Sequence, residues 1–111
     1  MKIKDIVKTL DLQVISGEEF LEREVTGGYA GDLLSDVLAN SKKGNIWITL
    51  QIHQNIIAVA SSKELSGIII VNGRKPEEET LKSAKEEEIP VITCNLLTYQ
   101  VVGKLYEIGI R

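Results

Sequence analysis

Histidine, cysteine and arginine are all scarce in this chain, and each scarcity removes a class of function. Cys94 is the single cysteine, so no disulfide can form within the chain. His53 is the single histidine; one His and one Cys cannot complete a closed tetrahedral site, and no metal is expected. Arg23, Arg74 and Arg111 are the only arginines, and Lys42-Lys43 and Arg74-Lys75 are too short to form the basic stripe of a nucleic-acid-binding domain. A net charge of −3 agrees with that exclusion. No apolar run approaches the roughly 20 residues that span a bilayer. The start, Met1-Lys2-Ile3-Lys4-Asp5, is followed by no apolar h-region, so no signal peptide is expected and the location is expected to be cytoplasmic. No G-x-x-x-x-G-K-[ST] loop occurs, which argues against kinase activity.

What is present is an ordinary globular composition. The 111 residues, 43% hydrophobic and 26% charged, predict one domain over residues 1–111. Ile3, Ile6, Val7 and Leu10 have the i, i+3, i+4, i+7 spacing of an amphipathic helix. Residues 13–17 read as a short strand and turn. The chain then alternates strands starting near Val25, Ile46, Ile68 and Val91 with helices over 33–39, 56–65, 77–88 and 97–108. That alternation predicts an α/β fold, a single layered domain with a mostly parallel sheet flanked by helices. Ile68-Ile69-Ile70-Val71 is apolar throughout, as a central strand covered on both faces must be. In Ile46-Trp47-Ile48-Thr49-Leu50 the isoleucines and Leu50 share one face and Trp47 and Thr49 the other, with one face expected to be less deeply covered. Asp32 and Asn55 are expected helix caps, and Pro76 is expected in the first turn of its helix.

The segment Glu22-Arg23-Glu24-Val25-Thr26-Gly27-Gly28 resembles the signature of DRTGG domains, with Arg23, Thr26, Gly27 and Gly28 retained and one extra residue between the arginine and the threonine. A second block, Trp47-Ile48-Thr49-Leu50-Gln51-Ile52-His53-Gln54-Asn55-Ile56, is similar to one branch of that family. The resemblance covers nearly the whole chain. It implies a fold like that of the N-terminal domain of HPr kinase/phosphorylase. It also implies a regulatory role, because such domains are usually fused to CBS, phosphotransacetylase or ATPase-like domains.

Ligands in open parallel sheets bind at the carboxyl ends of strands, near helix N-termini. The turns expected there carry Thr26, Gly27, Gly28, Thr49, His53, Asn72, Gly73, Arg74 and Thr93, with Asn55 and Asn95 beside them. These residues are the candidate ligand site. Arg74 is the preferred ligand arginine, since its guanidinium matches a phosphate or carboxylate bidentately. The expected function is a non-catalytic module binding a small ligand, a nucleotide or phosphorylated metabolite, with no cofactor. A homo-oligomer, a dimer, is expected, and the alternative function is a protein-interaction or scaffold module acting as that homo-oligomer with no small-molecule ligand, with Tyr29, Trp47 and Tyr99 as contact candidates. Cys94 and His53 are the only nameable catalytic pair, and no third group completes them.

Overall fold

The computed structural model describes residues 1–111. Five strands form one sheet: β1 (Gln13–Ser16), β2 (Gly27–Ala30), β3 (Asn45–Thr49), β4 (Gly67–Ile70) and β5 (Val91–Thr93). Their order is β1-β5-β4-β3-β2; β2 to β5 are mutually parallel, and β1 runs antiparallel beside β5. Five helices accompany them: α1 (Ile3–Leu10), α2 (Leu34–Asn40), α3 (Asn55–Ser62), α4 (Glu78–Glu87) and α5 (Thr98–Glu107). The architecture is therefore the α/β fold expected from the strand–helix alternation.

The layers follow from the order of the strands. Each crossover from β2 to β5 steps to the neighbouring strand in the same direction. Crossovers of one hand then place α2, α3 and α4 on the same face. The opposite face is left for α1 and α5. The core divides accordingly. Ile3 and Ile6 of α1 pack with Val101 and Leu105 of α5 against Ile46, Ile48, Ile69 and Ile92. Val37 of α2, Ile56 and Ile57 of α3 and Ala84 of α4 pack against Trp47, Ile68, Ile70 and Val91. Strand periodicity assigns each of the strand residues among these to its face.

The central position of Ile68–Ile70 is as read from its apolar run. Strand β3 departs from expectation: all five of its residues are buried, because helices cover both of its faces. Trp47 is fully buried and is thereby removed from the surface contact candidates. Its indole Nε1 donates to the Gly31 carbonyl at 2.9 Å.

Three expected helix starts are also corrected. Leu33, not Asp32, occupies the N-cap of α2, and Gln54, not Asn55, that of α3. Glu77 is the N-cap of α4, so Pro76 lies just outside the helix rather than in its first turn. No helix is long and apolar enough to cross a membrane.

Candidate functional site

The carboxyl ends of the parallel strands form one edge of the sheet, and its middle is tightly locked. Asp32 follows β2 and reaches across to the end of β3. Its Oδ1 accepts from the Thr49 hydroxyl at 2.8 Å and from the Leu50 N–H at 2.7 Å. The Gln51 amide donates to the Asp32 carbonyl at 2.9 Å. Asp32 therefore closes a strand end instead of capping a helix. Thr49, 1% exposed with its hydroxyl committed to Asp32, has no group left to offer a ligand. His53 is exposed on the β3–α3 loop, where its Nδ1 lies 2.9 Å from Glu77 Oε1.

Farther along this edge the loops after β4 and β5 meet. Asn72 and Gly73 both have positive φ, 63° and 68°. Glycine adopts that conformation freely, and asparagine tolerates it. The turn aims the Asn72 and Gly73 N–H groups at the Leu96 and Cys94 carbonyls, at 2.8 and 2.9 Å. A Cβ on Gly73 would lie 3.2 Å from Asn95 Oδ1, so the two loops touch closely.

Beside them opens a groove of about 540 Å³, whose lining includes Gly73, Arg74, Lys75, Thr93, Asn95 and Lys104. Its far wall comes from the amino-terminal part of the chain. Leu10 and Asp11 end α1, and Gln13 begins β1 opposite Thr93. The antiparallel placement of β1 is what brings that wall here. Arg74, Lys75 and Lys104 form no salt bridge; Asp11 is the one carboxylate on the lining. The groove is thus cationic within an acidic chain.

Gly73, Arg74 and Thr93 of the candidate residues line this groove, and Asn72 shapes its turn. Thr49 and His53 lie on the same edge at β3, outside the lining. The expected convergence fails for Thr26, Gly27 and Gly28. Strand β2 begins at Gly27, so these residues sit at the opposite, amino edge of the sheet. The reason is steric. A Cβ on Gly27 would lie 3.2 Å from the Arg111 carbonyl oxygen, so the glycine serves a close backbone approach within an edge strand rather than a turn.

Lys75 and Lys104 escaped the sequence reading. Lys104 lies on the last helix, one of several lysines with nothing local to distinguish it. Cys94 also lines the groove, and burial pushes its thiol pKa upward, opposite to an activated nucleophile. His53, its only nameable partner, is engaged with Glu77 instead. No group of three or more His, Cys, Asp or Glu side chains is placed to hold a metal ion.

A sequence model of the DRTGG domain matches residues 5–108. The chain belongs to the DRTGG domain family. This DRTGG domain also shares its fold with a solved structure, the CBS and DRTGG domains of the regulatory region of Clostridium perfringens pyrophosphatase, complexed with the activator diadenosine tetraphosphate. That similarity has a TM-score of 0.65 at 17% identity, over 90% of this chain and 44% of that one. The present DRTGG domain thus spans less than half the length of that chain. Comparison with curated proteins finds no match.

Proposed function

We propose that this DRTGG domain is a non-catalytic regulatory module of the cytoplasm that binds a small anionic ligand, a nucleotide or phosphorylated metabolite. The observation that carries the reading is the groove of Arg74, Lys75 and Lys104, three cations without carboxylate partners facing the lone Asp11. Arg74 supplies a planar fork for two phosphate oxygens, and the lysines add mobile point charges. Asn95 and Gln13 add amides that accept or donate to the rest of the ligand. The polyphosphate nucleotide bound by the Clostridium pyrophosphatase region supports the same ligand chemistry.

Thermal unfolding against nucleotides, dinucleoside polyphosphates and phosphorylated metabolites tests this reading. A ligand at about 100 times its dissociation constant adds roughly 2.7 kcal/mol. Arg74→Ala should weaken binding by roughly tenfold or more, the worth of a charge-assisted hydrogen bond at about 1.5–3 kcal/mol. The melting temperature of the unliganded protein should barely change, because Arg74 is exposed. A ligand whose affinity survives both Arg74→Ala and Lys104→Ala would place the site elsewhere.

A second reading, a homodimeric interaction module, draws support from α5 and the residue before it, where Leu97, Tyr99 and Tyr106 are 53%, 90% and 58% exposed. Sedimentation velocity showing a ligand-free dimer that Tyr99→Ala dissociates would favour it.

A further inference from the structure

We propose that the amino edge of the sheet carries a second, separate anion site, built around Thr26 and Gly27, that takes the phosphate group of a small phosphorylated molecule. A groove of about 470 Å³ opens there, its lining including Thr26, Gly27, Lys42, Lys43, Asn45 and Arg111. No Asp or Glu side chain lines it. It lies where β2 and β3 begin, whereas the Arg74 groove lies where β4 and β5 end.

The floor is built and only partly satisfied. Asn45 is 8% exposed, and its Oδ1 accepts from the Lys42 N–H at 2.9 Å. Its Nδ2 has only a long 3.5 Å contact to Thr26 Oγ1, which leaves a nearly buried donor with capacity to spare. The Thr26 hydroxyl donates to the Lys43 carbonyl at 2.8 Å and so fixes the turn that carries both lysines. Gly27 lets the floor pack closely: a Cβ there would lie 3.2 Å from both Asn45 Nδ2 and the Arg111 carbonyl oxygen.

The cations around this floor are available. Lys42 has no carboxylate partner. Lys43 pairs with Glu64 at 3.2 Å, but both side chains are largely exposed, and such pairs hold weakly. Arg111 uses Nε to donate to the Tyr106 carbonyl and lies over the Tyr106 ring, leaving its terminal nitrogens free. Asp36 is the adjacent acid. It already accepts from the Tyr29 hydroxyl at 2.5 Å and the Asn40 amide at 2.9 Å. Two lysines, an arginine and a buried amide donor are the chemistry that phosphate oxygens require.

The test is a titration of isotope-labelled protein with inorganic pyrophosphate, read amide by amide. It is run on the Arg74→Ala/Lys104→Ala protein, so that the carboxyl-edge groove is disabled. Saturable shifts should appear at Gly27, Gly28, Lys43, Gly44 and Asn45. Adding Lys42→Ala/Arg111→Ala should weaken them by about tenfold or more while the remaining resonances stay in place. Shifts that are linear in pyrophosphate, or of equal affinity with and without Lys42 and Arg111, would overturn the proposal. The carboxyl-edge reading is checked separately, by shifts at Gly73, Arg74 and Asn95 in the parent protein.

Discussion

Replacing Trp47 by alanine should destabilise the protein by about 3–5 kcal/mol, the range for deleting a fully buried aromatic side chain. Trp47 has no exposed surface and packs among Val37, Ile56, Ile57, Ile68 and Ile70. Its removal leaves a cavity between the sheet and α2 and α3. It also leaves the Gly31 carbonyl without its indole donor. Domains of this size are stable by only about 5–15 kcal/mol, so the variant would approach the limit of folding at body temperature. Urea denaturation followed by far-ultraviolet circular dichroism measures the loss directly. Trp47→Phe, which refills part of the space without the hydrogen bond, should fall between the two. An alanine variant as stable as the parent would mean that this face of β3 is not packed as described.

Gly17→Ala should be nearly as damaging, for a different reason. Gly17 has φ of 89° in the tight link between β1 and the 3₁₀ turn Glu18–Phe20. Left-handed backbone costs an alanine about 1–2 kcal/mol. Worse, its Cβ would lie 2.6 Å from Pro90 Cα, and a backbone atom cannot swing aside. Forcing β1 away from the start of β5 adds roughly 1–3 kcal/mol of overpacking. Because β1 carries Gln13 to the Arg74 groove, ligand affinity should fall along with stability. Gly103→Ala is the contrasting control. It lies inside α5 with nothing within 4 Å of its added Cβ. Alanine there should stabilise by roughly 0.5–1 kcal/mol, through the lower helix propensity of glycine. Chemical denaturation of the pair separates strained glycines from merely tolerated ones.

Much of the layering was legible because buried strands announce themselves. The run Ile68–Val71 admits only a two-face environment, and the alternation through Ile46, Trp47 and Ile48 assigns each residue to the face it occupies. The helix spacing of Ile3, Ile6 and Leu10 is equally unambiguous. The site was legible in part. Asn72-Gly73-Arg74 marks a strand-end turn by composition alone, and the turn is there. Gly27-Gly28 misled because paired glycines usually signal a turn, while here they begin an edge strand that Arg111 crosses closely. Asp32 misled because its cap position was judged from the helix ahead of it. The Leu50 N–H that it satisfies lies just past the end of β3, 18 residues later. Lys104 and Asp11 were invisible for the same reason: only the tertiary arrangement brings α1, β1 and α5 to the loops after β4 and β5.

The antiparallel β1 has a kinetic meaning as well. Strands β2 to β5 assemble from neighbours in sequence, each crossover closing a short loop. The β1–β5 ladder instead joins Gln13 to Thr93, 80 residues apart in a chain of 111, and such pairings are slow to form. The Arg74 groove, walled by that ladder, would be completed last during folding and lost first in partial opening. Detachment of α1 and β1 would dismantle it and uncover the face of the sheet formed by Ile46, Ile48, Ile69 and Ile92. A ligand held across the groove would therefore act as a latch on the amino-terminal segment, slowing hydrogen exchange there before it slowed exchange anywhere else.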